Sequence, residues 1–226
     1  MRKKIGVICI LLGVCCLLSA VGFVIYNRSE EENGAISSQL LLENVQQVMQ
    51  QTTPPTEAPN QSVTPEITEP ENTQPAEEPV QIPQETVPET LPLEMPTVPA
   101  GEYASIGILS IPVLELELPV LSDWSSEKLK SAPCCYYGSY YESDFVIAGH
   151  NYTAHFGKLT HLQAGDLILF TDVTGTVRCY EVVLLETLVA TATEEMITSG
   201  FDLSLYTCTI GGANRVTVRC SLISGG

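Results

Sequence analysis

The sequence predicts a mainly β domain, a sandwich or closed barrel with only brief helices, standing behind a transmembrane helix and an acidic stalk. Three observations lead there. An uncharged apolar run fills positions 5–26, a proline- and glutamate-rich tract follows as far as residue 102, and residues 103–226 break into short apolar stretches separated by turn residues.

Met1 to Lys4 reads MRKK, a basic flank, and the 22 residues from Ile5 to Tyr26 carry no charge. Roughly 20 apolar residues are needed to cross a bilayer as a helix. Arg2, Lys3 and Lys4 lie on one side of the run, whereas Arg28 on the other side is followed by Glu30, Glu31 and Glu32. The positive-inside bias then keeps residues 1–4 in the cytoplasm and places everything after the span outside the cell membrane. Ala20-Val21-Gly22 fits a small-residue cleavage pattern only loosely, and the apolar run continues past it, so the segment reads as an anchor.

Residues 27–102 read as the stalk. Twelve of the 15 prolines fall between Pro54 and Pro99, and 14 acidic residues with no basic one lie between Glu30 and Glu102. Such a composition buries too little apolar surface to offset its ordering entropy and predicts a disordered spacer. In polyproline II geometry, at about 3.1 Å per residue, the stretch from Pro54 to Pro99 reaches about 140 Å. Between anchor and proline tract, Leu41, Val45 and Val48 recur at helical spacing, which fits a short helix or a weak self-association seam.

Residues 103–226 are enough for one domain with a single core. Leu114, Leu116 and Leu118 alternate with Glu115 and Glu117, the period of a half-buried strand. DFVIAGH is a short buried run, and DLILFTDVTGTVRCYEVVLLET reads as two strands joined near Thr174-Gly175. LSLYTCT and RVTVRCSLI form another pair, while SSEKLKSA and ATEEMIT read as brief helices. Pro112 and Pro119 are expected at strand ends or edges. Six Lys/Arg stand against 13 Asp/Glu in this domain. It offers no basic surface for nucleic acid and favours basic or amine-bearing partners.

Five cysteines follow the span: Cys134, Cys135, Cys179, Cys208 and Cys220. Disulfides are the default in an exported domain, and an odd count leaves one thiol over unless chains cross-link. With Gly211-Gly212 as a two-residue turn, Cys208 falls opposite Arg215, Leu205 opposite Val218 and Leu203 opposite Cys220. Alternation then puts Leu203, Leu205, Val216, Val218 and Cys220 on one face, and Ser204, Tyr206, Cys208, Arg215, Thr217 and Arg219 on the other. A Cys208–Cys220 disulfide would join opposite faces, which its geometry forbids. A thiol beside a guanidinium favours the nucleophilic thiolate. The histidines are His150, His155 and His161. His150 ends the run DFVIAGH, where a strand delivers a side chain to a rim; any one histidine read alone is more often structural. No C-x-x-C or H-x-x-x-H spacing occurs, so neither a metal nor another cofactor is expected.

Together, LSLYTCT with Cys208, Arg215 on the following strand and AGHN with His150 resemble the sortase family of Gram-positive cell-surface cysteine transpeptidases. So do IGILSIPVLELELPV at the domain start and HFGKLTHLQAGDLILFTD after the histidine. The resemblance covers essentially all of residues 103–224 and implies a closed eight-stranded β-barrel. It implies that Cys208 attacks a backbone carbonyl of an LPxTG-like sorting signal to form a thioacyl-enzyme, with His150 as proton carrier and Arg215 holding the substrate and the oxyanion. The partners implied are surface proteins or pilins bearing that signal, and an amine acceptor such as a peptidoglycan precursor. Thr207 matches the residue before the family's cysteine with a positional part, and Arg219 is the weaker arginine candidate. A disulfide of Cys134 or Cys135, with Cys179 as one partner, stays open, and Glu194 and Glu195 are weak candidates for the calcium some members use. An exported cysteine peptidase that only hydrolyses and a non-enzymatic wall-spanning binding module are the competing readings.

Overall fold

The computed structural model describes residues 2–52 and 94–225. The first element, α1, is one continuous helix over Arg2–Thr52. Residues 27–52, expected to begin a disordered stalk, are thus helical. They contain no proline and are rich in Leu, Glu and Gln, and the helix stops just before Pro54 and Pro55. Of the rest of the expected stalk, 53–93 lies outside the described residues, and Val98–Ala100, also expected to be disordered, is a strand paired with the start of the barrel.

Leu41 and Val45 of α1 are buried against Ile108, Leu121, Ala132 and Cys134, with Leu42 and Met49 partly buried beside them. The helical spacing read from the sequence therefore serves contact with the domain of the same chain, in place of a seam between chains. The uncovered part of α1 is apolar: Leu11, Leu12, Leu17, Leu18, Phe23, Val24 and Ile25 are all exposed. By length and composition this helix is able to cross a membrane.

The strands are β1 (Val98–Ala100), β2 (Tyr103–Ile111), β3 (Leu116–Leu121), β4 (Cys134–Tyr137), β5 (Phe145–Ala148), β6 (Leu167–Asp172), β7 (Val177–Val189), β8 (Leu203–Cys208) and β9 (Asn214–Gly225). Pairing runs β2-β3-β4-β5-β8-β9-β7-β6 and returns from β6 to β2, so eight strands close a barrel. β1 is an added edge, which is why Pro99 is tolerated in it. Pairing is antiparallel except β3–β4 and β5–β8. Two short helices, α2 (Lys128–Ser131) and α3 (Thr193–Ile197), lie in the segments read as helical.

The leucine–glutamate alternation at 114–118 is not one strand. Pro112 opens a 3-10 turn over Pro112–Leu114, Glu115 takes a left-handed conformation (φ 53°), and the chain reverses from β2 into β3. The burial alternation is still obeyed, with Leu114, Leu116 and Leu118 inside. β4 was not foreseen as a strand. Its four residues CCYY are too few to show a period, and pairing with β5 makes them one.

Ile106, Leu109, Ile111, Phe145, Ile147, Phe170, Leu203, Leu205 and Val218 fill the barrel. Ile108, Leu121 and Cys134 instead point outward from neighbouring strands and are covered by α1 and β1. The wall formed by β2, β3 and β4 is therefore apolar on both faces.

Candidate active site

β8 and β9 form the hairpin that carries the cysteine. Cys208 pairs with Arg215, Tyr206 with Thr217, Leu205 with Val218 and Leu203 with Cys220, the register expected from the sequence. The turn is wider than the two residues expected. Thr209 N–H donates to the Asn214 carbonyl at 3.0 Å and Gly212 N–H to the Thr209 carbonyl at 2.8 Å. Gly211 and Gly212 both have positive φ (84° and 76°), which only glycine adopts cheaply. The loop is symmetric about the same centre, so the register is unchanged.

The two faces separate as predicted. Leu203, Leu205, Val218 and Cys220 lie in the barrel core, whereas Cys208 and Arg215 are half-exposed at the mouth. Thr207 points inward, 4% exposed, and its buried hydroxyl has no hydrogen-bond partner among the described residues. Arg215 Nη1 donates to the carbonyls of Gly212 (3.0 Å) and Asn214 (3.1 Å), which folds the guanidinium toward its own turn.

β5 lies parallel to β8, pairing Phe145 with Leu203 through to Ala148 with Tyr206. Gly149 N–H then bonds the Tyr206 carbonyl at 3.0 Å. Continuing this register brings position 150 level with position 208. His150 and Cys208 thus leave the same end of adjacent parallel strands, with Arg215 across the hairpin. No hydrogen bond joins the imidazole to the thiol.

His150 is half-buried, and burial holds its pKa below the usual histidine value, partly offset by Asn151. The Asn151 backbone N–H donates to His150 Nδ1 at 3.0 Å, and the Asn151 side-chain oxygen is also 3.0 Å from that nitrogen. The Nε2–H tautomer accepts from the N–H at Nδ1; the Nδ1–H tautomer and the charged ring donate to the oxygen, which leaves Nε2 as the atom that exchanges the second proton. Asn151 thus serves both protonation states. The imidazole stacks on Tyr152 with centroids 4.0 Å apart and planes 10° from parallel.

The other histidines part from the site. His155 is fully buried, with Nε2 3.3 Å from the Gly34 carbonyl of α1, and burial pushes its pKa down to about 4. It is neutral, and its Nε2–H donates to that carbonyl. His161 is exposed at the end of a 3-10 turn.

A cavity of about 200 Å³ lies beside Arg215, lined by Trp124, Tyr136, Val189, Met196 and Tyr206 among others. Tyr136 makes edge-on contacts with both Trp124 (5.8 Å) and Tyr206 (5.2 Å). A second, of about 440 Å³, lies on the histidine side, where Tyr26, Asn27, Glu30 and Glu31 of α1 face His150, Tyr152 and Lys130. The aromatic residues and α1 were not foreseen as parts of the site. Only their clustering from distant positions reveals them.

Arg219 is a structural residue. Only 2% exposed, it donates to Glu186 Oε1 (2.7 Å), Ser204 Oγ (2.8 Å) and the carbonyls of Glu195 (2.8 Å) and Met196 (3.2 Å), tying α3 to the barrel. The open disulfide does not form: Cys134, Cys135 and Cys179 are free. Cys134 is held under α1 and Cys135 in the core, and burial pushes their thiols up to about 12 and about 11. Glu194 and Glu195 stand exposed on α3, and the described residues contain no carboxylate, cysteine or histidine group arranged to hold a metal.

Three solved structures with a similar fold are sortase A from Corynebacterium diphtheriae, sortase C of Streptococcus pneumoniae and sortase C from Clostridium perfringens SM101. The first is 22% identical with a TM-score of 0.49, and the match covers 55% of this chain and 63% of that one. The pneumococcal enzyme is 24% identical with a TM-score of 0.48, covering 53% and 67%. The clostridial one is 20% identical with a TM-score of 0.47, covering 53% and 70%. This chain thus spans less than two thirds of the corynebacterial protein. No curated protein matches it. The family described as "Sortase domain" matches residues 109–223, just over half of the chain, from the last three residues of β2 to Ile223 in β9. On that match, the chain belongs to the sortase family.

Proposed function

We propose that this protein is a membrane-anchored cysteine transpeptidase acting on an LPxTG-like sorting signal, with Cys208, His150 and Arg215 as its catalytic residues. The observation that supports it is backbone register: Cys208 and Arg215 are cross-strand partners, and His150 follows the adjacent parallel strand at the same level.

In this reading the Cys208 sulfur attacks the carbonyl carbon of the scissile amide. The Arg215 guanidinium faces the oxygen that becomes negative in the tetrahedral intermediate. The C–N bond breaks, the leaving amine takes a proton from His150, and the acyl group stays on sulfur as a thioester. An incoming amine then attacks the thioester and gives its proton to His150, the C–S bond breaks, and the acyl group leaves on the amine, restoring the thiolate and the protonated imidazole. Asn151 suits such a shuttle because it bonds Nδ1 in either charge state. The aromatic cavity beside Arg215 fits the apolar residues of the signal peptide.

The partners in this proposal are surface proteins or pilins bearing the signal, and an amine on a wall precursor or on another subunit. Residues 5–26 hold the enzyme in the cell membrane, with residues 1–4 in the cytoplasm and the barrel outside.

The test incubates the full chain in lipid nanodiscs with an LPxTG-type peptide and hydroxylamine, and follows hydroxamate and the Cys208 adduct by mass spectrometry. Wild type is expected to give both. Cys208→Ala lowers turnover by at least about a thousandfold, and His150→Ala and Arg215→Ala by at least about a hundredfold. Retained turnover in Cys208→Ala would end the nucleophile assignment. Free acid formed at an undiminished rate in hydroxylamine would mark a hydrolase instead.

A further inference from the structure

Gly34 lies inside a helix, where glycine costs about 1 kcal/mol relative to alanine. A Cβ on it would stand 2.7 and 2.8 Å from Cδ2 and Cε2 of the Tyr152 ring and 2.9 Å from the Lys130 carbonyl oxygen. The two other glycines described along the same helix, Gly13 and Gly22, have nothing within 4 Å of such an atom. The absent side chain at 34 therefore answers to two contacts, the Lys130 carbonyl and, more closely, the Tyr152 ring, against which the helix backbone lies directly. That ring is in turn stacked on the imidazole of His150, at 4.0 Å.

Two bonds fasten the same loop to the helix on the C-terminal side of Tyr152. Thr153 N–H donates to Glu31 Oε1 at 2.7 Å, and His155 Nε2–H donates to the Gly34 carbonyl at 3.3 Å. The loop also closes on the histidine itself, through Phe156 N–H and the His150 carbonyl at 3.0 Å. Asn151 restrains one nitrogen of His150, but a single hydrogen-bonded edge leaves the ring free to tilt. A flat neighbour in parallel contact removes that freedom.

We propose that Tyr152 is a positioning residue for His150, that Gly34 is its seat, and that α1 thereby forms one wall of the catalytic site. The inference rests on His150 as the proton carrier. It gives the helix bearing the apolar span a second role, because the geometry of proton transfer then depends on α1 being docked.

The experiment uses full-length protein in nanodiscs labelled with 13C and 15N at histidine, and pairs NMR with peptide–hydroxylamine kinetics. Ring stacking shifts the His150 carbon-bound protons upfield. Tyr152→Ala and Gly34→Ala are expected to abolish that shift and to lower kcat about tenfold to a hundredfold, with KM for the peptide changed by no more than about twofold. Tyr152→Phe, which keeps the ring, recovers both the shift and most of kcat. On a Tyr152→Ala background Gly34→Ala adds only the small further loss left by its approach to the Lys130 carbonyl, which separates loss of the seat from general damage to the helix. An unmoved His150 resonance in Tyr152→Ala would overturn the proposal, as would a kcat loss in Gly34→Ala that persists undiminished on top of Tyr152→Ala. The NMR arm needs no turnover, so a protein inactive on the peptide would fail the transpeptidase reading while the His150 resonance still decides whether Tyr152 and Gly34 set the ring.

Discussion

His155 shows how a side chain that resembles a candidate becomes a support. Its ring is fully buried and neutral, with a pKa near 4 against about 6.5 in the unfolded chain. As pH falls below 6.5 the unfolded chain takes up a proton that the folded chain refuses, so stability is full above 6.5 and declines toward pH 4. The span of that decline is on the order of 3 kcal/mol. Glu31 acts in a lower window: Thr153 holds its carboxyl below the usual range, so its contribution is lost as pH falls below about 4.5. Urea unfolding of the full chain in nanodiscs between pH 7 and 4 is expected to show this slope, and His155→Gln to flatten it above pH 4.5. An unchanged slope in that variant would assign the pH dependence elsewhere.

At the scale of elements, α3 is held by one buried cation. Five residues make barely more than one helical turn, too short to be stable alone. Arg219 reaches through to the carbonyls of Glu195 and Met196 and to Glu186, and so fixes the helix that lines the aromatic cavity through Thr193 and Met196. Arg219→Ala leaves these acceptors without their donor and is expected to cost about 3–5 kcal/mol. It should also raise KM for the peptide more than it lowers kcat, because Arg219 holds the helix that lines the cavity and bonds neither Cys208 nor His150. Thermal melts and steady-state kinetics check both; a fall in kcat alone would place Arg219 among the reacting groups. The hairpin of β8 and β9 was legible in sequence because alternation and a glycine pair define register over short range. β4 was not, because four residues take their strand identity from the neighbours they pair with.

For the molecule as a whole, the largest difference from expectation is the route from anchor to barrel. α1 touches the barrel from Glu30 and Glu31 onward, and Gly34 is about 12 Å along the helix from Tyr26 at 1.5 Å per residue. The helix meets the barrel before the proline-rich tract begins. Docking depends on Leu41 and Val45, which cover outward-facing Ile108, Leu121 and Cys134. Leu41→Ala combined with Val45→Ala is expected to weaken the contact by about 3–6 kcal/mol. Hydrogen exchange should then quicken across residues 30–50 while β8 and β9 stay protected. Equal exchange in the double variant would show that the polar contacts of Glu31 and Gly34 suffice.

The sequence by itself determined what depends on near neighbours along the chain. The apolar run follows from hydropathy, and the helical brevity of SSEKLKSA and ATEEMIT from composition. Cys208 opposite Arg215, with Cys220 turned inward, follows from the two-residue period of a strand. Family resemblance added the closed barrel and the choice of His150. Tertiary structure alone decided what joins distant segments: β5 lying parallel to β8 so that His150 and Cys208 share a level, Arg219 buried under α3, and α1 laid along the barrel with Gly34 against Tyr152. Helical and strand periods record which face of an element is apolar. They carry no record of which other element covers it, and in this protein that covering reaches the histidine.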